Sequence, residues 1–147
     1  MSVENSNKQV VRNWLDAVNS ADEQALLDML AEGFVFKTMA RQPEWLRYKW
    51  SAKEFAAAPN AQSSVMEAPI RMEEVKLIAE GDTVALEAIS NGRLKNGKLY
   101  DNAYSLIFEI CDGKIREARE YSCSYLVVQT FGEFDPNNPE ASAAATA

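Results

Sequence analysis

Histidine is absent from this sequence, and that absence removes more chemistry than any residue present supplies. Ser-His-Asp and Cys-His nucleophilic catalysis are excluded, as are the common histidine-containing zinc sites. Acid/base work must then fall to Glu, Asp, Tyr, Lys or a free thiol. Cysteine is scarce. Cys111 and Cys123 fit no metal-ligand spacing and supply no disulfide framework, so reduced thiols in a cytoplasmic protein are expected. Positive charge is also thin: 15 Lys and Arg face 22 acidic residues, giving a net charge of −7 with no basic run longer than a pair. Nucleic acid and anionic membranes require a positive patch, so neither is expected as a partner. No apolar run approaches membrane-spanning length, and the polar opening MSVENSNK has no signal-peptide core.

What is there describes an ordinary globular chain. With 147 residues and 47% hydrophobic content, one domain with a real core is expected over residues 1–131. The remainder, residues 132–147, holds two prolines and little bulk and reads as a flexible C-terminal tail.

The first third of the chain is helical in period. Val10, Val11, Trp14, Leu15 and Val18 form one stripe over residues 6–19, with Asn5 or Ser6 as N-cap. A second helix is expected from about Asp22, through Leu26, Leu27, Met29 and Leu30, to near Gly33. Phe34-Val35-Phe36 reads as a short strand. The segment from Met39 to Trp50 holds Trp45, Tyr48 and Trp50. It is either a loop or short helix over one end of the core, or an aromatic lid on a pocket. Ser51 caps a third helix over residues 52–58, which Pro59 should stop.

From Ile70 onwards the period becomes two. Strands are expected over 70–79, 83–94, 98–111 and 114–130, with turns at Glu80-Gly81-Asp82, Asn96-Gly97 and Asp112-Gly113. The last two strands exceed ordinary length, so bends or bulges that roll the sheet into a cone are expected. Tyr100, Asn102, Tyr104, Leu106, Phe108 and Ile110 share one face of the third strand. On the fourth, Glu120 shares a face with Ala118, Ser122 and Ser124, opposite Tyr121, Cys123, Tyr125 and Val127. Periodicity does not say which of those faces is inside.

Helices followed by antiparallel strands give an α+β class with helices packed on one strongly curved antiparallel sheet. The phrase Asp112-Gly113-Lys114-Ile115, followed by Arg119-Glu120-Tyr121, resembles the SnoaL-like family of the nuclear transport factor 2-like, or ketosteroid isomerase-like, superfamily. The resemblance spans residues 6–131 and implies a cone-shaped α+β barrel with a pocket between sheet and helices, often in a homodimer. It also implies that the Glu120 face is the pocket side. In limonene epoxide hydrolase, a superfamily member, an Asp of the closing strand activates water. Its Arg and second Asp fall on Glu87 and Ile89 here, so that constellation is not reproduced.

These readings lead to a small cofactor-independent, metal-free enzyme acting on an apolar, polyketide- or terpenoid-like metabolite by acid/base chemistry. Isomerisation, cyclisation, dehydration and epoxide opening all need a carboxyl in a dry pocket and donors aimed at an oxygen. Glu120 would shuttle the proton, with Tyr104 and Asn102 orienting or polarising the substrate oxygen. Trp14, Trp45, Tyr48, Trp50 and Phe108 would supply apolar walls, and Glu87 would join Glu120 if its strand face is concave. The alternatives are plain: a Glu120 solvated beside Arg116 or Arg119, an outward Glu87, a core Tyr104. The rival function is a non-catalytic binding or dimeric assembly module on the same fold. The stripe through Tyr121 and Tyr125 would be covered by the chain's own helices or by a second subunit.

Overall fold

The computed structural model describes residues 1–132. The tail expected over 132–147 lies, but for Gly132, outside the described residues. Four helices and six strands follow one another as α1 (Val3–Ser20), α2 (Glu23–Met29), β1 (Leu30–Thr38), β2 (Lys49–Ser51), α3 (Ala52–Gln62), β3 (Arg71–Glu80), β4 (Thr83–Asn91), β5 (Ala103–Cys111), β6 (Lys114–Ser122) and α4 (Ser124–Phe131). A single turn of 3-10 helix, Glu44–Leu46, precedes β2.

α1 begins earlier than its apolar stripe suggests. Ser2 is the cap, its Oγ accepting from the Asn5 amide at 3.2 Å. α2 is capped by Asp22, whose carboxylate accepts from the Ala25 amide at 3.0 Å. It ends at Met29 rather than near Gly33, because Leu30 already pairs with Ile115 in the sheet. α3 carries a full capping box between Ser51 and Glu54. It runs through Pro59 to Gln62 instead of stopping. A proline there forfeits one intrahelical bond, that to the Phe55 carbonyl, while buried Phe55 and Ala56 hold the helix on the core.

The sheet order is β2-β1-β6-β5-β4-β3. Its meander of β3 to β6 is antiparallel, as expected, but β1 pairs parallel with β6 and makes the sheet mixed. Register shifts between Glu74 and Lys76, between Glu109 and Ile110, and between Leu30 and Val35 are the irregularities that bend it. At the β5–β6 turn Asp112 and Gly113 both take positive φ, 49° and 74°, as a tight two-residue hairpin demands.

Three expected strands are shorter. β4 ends at Asn91, β5 begins at Ala103, and β6 stops at Ser122. The segment expected to continue β6 to residue 130 is instead the helix α4. A short apolar run has no period of its own to decide the matter. Packing decides it: Leu126, Val127 and Phe131 close over a small cluster of Met66, Leu94 and Tyr100. The stripe Tyr121, Cys123, Tyr125 and Val127 therefore does not exist as one strand face.

The main core lies between the inner sheet face and the helices. α1 gives it Val11, Trp14 and Leu15; β1 gives Phe34 and Phe36; β4, β5 and β6 give Leu86, Phe108 and Ala118 among others. α1 is tied to edge strand β3 by the Asn19 amide, which both donates to and accepts from the Met72 backbone at 2.8 Å. None of the described helices is long and apolar enough to cross a membrane.

Candidate active site

The sheet curves away from α1 and α3 at one end, and the space left between them is a cavity of about 1030 Å³. Its floor is the inner face of β1, β5 and β6, presenting Phe36, Tyr104, Leu106 and Glu120. Its walls are α1 and α3, with α4 contributing Val127 and Phe131. The Met39–Trp50 segment is a third wall and not a free lid. The Thr38 hydroxyl accepts from the Tyr48 amide at 2.9 Å, and the Thr38 amide donates to the Tyr48 carbonyl at 3.1 Å. Trp45, Tyr48 and Trp50 all line the cavity, with Tyr48 and Trp50 rings 4.8 Å apart and Trp50 5.4 Å from Phe36. Trp14 lines it as well; its buried indole N–H has no acceptor among the described residues.

Glu120 sits on β6 opposite Leu106 of β5 and beside Thr38 of β1. Ala118 and Ser122 flank it on the same face, small enough to leave the carboxyl open to the cavity. It retains intermediate exposure, and the cavity is what it is exposed to. Burial among apolar walls pushes its carboxyl up to about 7, against a smaller opposing pull from the Ser122 hydroxyl. No Lys or Arg lines the cavity among the described residues. The other acidic residue on the rim, Glu54, is held low by the Ser51 backbone N–H of its capping box and stays ionised.

Around Glu120 stand three tyrosines: Tyr48, Tyr100 and Tyr104. Burial raises the pKa of each, and the nearby Glu120 charge adds to the rise. All three therefore stay protonated donors. Tyr104 and Tyr100 belong to a polar chain at the foot of the cavity. Ser90 Oγ lies 3.1 Å from the Tyr104 hydroxyl, which donates to the Tyr100 hydroxyl at 3.4 Å.

Of the residues singled out in the sequence, the fold brings Glu120, Tyr104, Trp14, Trp45, Tyr48 and Trp50 to one cavity. Three are placed elsewhere. Glu87 is exposed on the outer sheet face, because Val84, Leu86, Ala88 and Ser90 take the inner positions of β4. Phe108 is fully buried against Trp14, 4.9 Å between rings, and stands behind the cavity wall. Asn102 is buried and its amide is consumed by protein. Its Oδ1 accepts from the Ala103 and Cys123 amides at 2.8 and 3.2 Å, and its Nδ2 donates to the Tyr100 hydroxyl at 3.0 Å. It is a positioning residue. Tyr100 and Ser90 were not expected in the site; Tyr100 was legible as a member of the Asn102–Tyr104 face, Ser90 only as a polar residue in an alternating strand.

A SnoaL-like domain model matches residues 11–118. No curated protein matches the sequence significantly. Solved structures do, at low identity. PrhC from Penicillium brasilianum is 12% identical with a TM-score of 0.81, covering 99% of this chain and 94% of its own. BvnE pinacolase from Penicillium brevicompactum is 15% identical with a TM-score of 0.77, covering 97% and 99%. An LEH-like epoxide hydrolase of M. tuberculosis is 16% identical with a TM-score of 0.68, covering 83% and 86%. At such identities the likeness is one of fold. The family match covers most of the chain, so the protein belongs to the SnoaL-like domain family on the nuclear transport factor 2-like fold.

Proposed function

We propose that this protein is a small enzyme that moves a proton on an uncharged, oxygen-bearing apolar metabolite through the Glu120 carboxyl. One observation carries the reading: a single carboxyl with a pKa near 7 opens into an aromatic cavity whose described lining has no cation. A cavity so lined disfavours phosphates and carboxylates, which would meet Glu120 without a counter-charge. A pKa near the working pH lets one group take a proton from carbon or oxygen and return it at another position. Isomerisation, ring closure, dehydration and epoxide opening fit that description. The occurrence of an epoxide hydrolase and a pinacolase on the same fold supports it by analogy. The cavity volume suits a polyketide- or terpenoid-sized molecule.

Exposed, unpaired Cys111 and Cys123 suit a reducing compartment, the cytoplasm. We assign the outer sheet face to a second copy of the chain, because Ile78, Ile89 and Tyr121 are exposed there beside a shallow groove floored by Ala85 and Ala103.

The test is solvent isotope exchange. Neutral polyketide and terpenoid ketones, alcohols and epoxides incubated with the enzyme in D2O should include substrates that gain deuterium or convert to product. Glu120→Gln should abolish both, by two to four orders of magnitude, roughly the worth of a positioned acid or base. Tight binding of such molecules with no exchange and no conversion would instead establish the non-catalytic binding module.

A further inference from the structure

The chain of hydroxyls at the foot of the cavity has a direction, and its direction can be worked out from its two ends. At one end stands the Asn102 side-chain amide. Its Oδ1 is fixed as acceptor by two backbone N–H groups, those of Ala103 and Cys123. Its Nδ2 must therefore be the donor to the Tyr100 oxygen at 3.0 Å, with its second hydrogen directed at the Cys123 carbonyl 3.4 Å away. At the other end the Asn102 backbone N–H donates to Ser90 Oγ at 3.1 Å. Protons are thus supplied inwards from both ends.

Between the ends lie three hydroxyls, of Ser90, Tyr104 and Tyr100, joined by two hydrogen bonds of 3.1 and 3.4 Å. Three protons serve two bonds, so one is left over. Tyr104 donates to Tyr100, so the Ser90–Tyr104 bond takes its proton from Ser90. The Tyr100 oxygen then accepts twice, from Tyr104 and from Asn102, and both its lone pairs are occupied. Its own proton has no acceptor among the described residues. Tyr100 is one of the residues that line the cavity. Its ring is held at 4.9 Å against Phe131 of α4, so the hydroxyl is presented by a fixed side chain.

We infer that Tyr100 donates a hydrogen bond to an uncharged oxygen of the ligand, a carbonyl or an epoxide or ether oxygen, at the inner end of the cavity. Each bond accepted by the Tyr100 oxygen polarises its O–H and makes it a better donor. Ser90, Tyr104 and Asn102 are positioning residues that aim and strengthen this one proton. The assignment identifies the polar feature of the ligand and where in the cavity it sits. It shares with the proposed function only the premise that the cavity is the ligand site, and it holds whether or not Glu120 moves a proton.

The probe is 2-acetylnaphthalene carrying a 13C carbonyl, an uncharged apolar ketone, with binding followed by fluorescence and its carbonyl stretch by difference infrared spectroscopy. Bound to the wild-type protein, the stretch should fall below its position in hydrocarbon solvent. Tyr100→Phe should bind the ketone roughly 3- to 10-fold more weakly, the loss of one neutral hydrogen bond, and return the stretch to the hydrocarbon position. Tyr104→Phe and Ser90→Ala, each still folded by thermal melt, should keep a lowered stretch, less shifted than wild type. Glu120→Gln should keep the full shift, whatever it does to turnover. The inference is overturned by an unshifted carbonyl in wild type, by no saturable binding of the ketone, or by a shift that survives Tyr100→Phe and vanishes in Tyr104→Phe.

Discussion

At the scale of single residues, Glu120 is a carboxyl held away from water by apolar walls. Its folded pKa of about 7 lies above the ordinary carboxyl value of 4.5. The proton is therefore held more tightly by the folded chain than by the unfolded one. Between about pH 4.5 and 7 the folded state binds the extra proton, so stability falls as pH rises through that window and levels off above it. The penalty at pH 8 is on the order of 3 kcal/mol. Glu120→Gln removes the titrating group and keeps the shape. The mutant should match wild type near pH 4 and exceed it by about that amount at pH 8, read as the difference in urea midpoint at the two values. Equal midpoints at both pH values would place the carboxyl in water.

Asn102 shows the same logic for a neutral group. It was legible as a polar residue on an apolar face, and such a residue either serves its own sheet or greets a ligand. The structure spends its amide on the protein. Asn102→Ala would leave the Ala103 and Cys123 N–H groups and the Tyr100 hydroxyl each short of a partner. A loss of about 2–4 kcal/mol is expected in chemical denaturation. A cost below about 1 kcal/mol would mean water replaces the amide without difficulty.

Among the elements, α4 is where the sequence was least informative. Ser124-Tyr-Leu-Val-Val-Gln-Thr-Phe131 contains β-branched and aromatic residues that suit a strand, and it is too short to show helical period. Only the second apolar cluster around Met66 and Leu94 decides its conformation, and that cluster is assembled from distant segments. The parallel pairing of β1 with β6 was hidden for a similar reason. It joins residues about 80 apart, such as Phe36 and Ala118, and no local pattern encodes it. The hairpins at Gly81 and Asp112-Gly113, by contrast, were written in the sequence because positive φ restricts residue choice. The faces of β4, β5 and β6 were legible as sets, but not as inside or outside. That is why period leaves Glu87 open between cavity and solvent, and only the fold puts it on the outer face. The proton chain through Ser90 and Tyr100 depends on the register of β4 against β5, where Ala88 faces Tyr104, and period alone does not give register.

For the whole molecule, the outer sheet face is the surface that bears on assembly. It carries Ile78, Ile89 and Tyr121, each more than 40% exposed. An ionic cluster of Lys37, Glu117, Arg119 and Glu109 borders it. An apolar patch with a charged rim is the composition expected of an isologous interface. The 16.4 kDa chain should therefore sediment as a dimer, and the double mutant Ile89→Glu/Tyr121→Glu as a monomer. Both substitutions are on the outer face, so the cavity and the thermal melt of the monomer should be preserved. Wild-type protein that sediments as a monomer at all concentrations would remove the second copy from the account.

The proposed chemistry turns on a carboxyl poised near neutrality inside an apolar cavity, and its most direct test is the titration of that carboxyl. Protein labelled with 13C at the glutamate side-chain carboxyl carbons would be followed by NMR from pH 3 to pH 9, with the Glu120 resonance assigned by its absence in Glu120→Gln. The account predicts one resonance with an inflection near pH 7, which disappears in the mutant. An inflection for Glu120 in the ordinary carboxylate range, near 4.3, would contradict it.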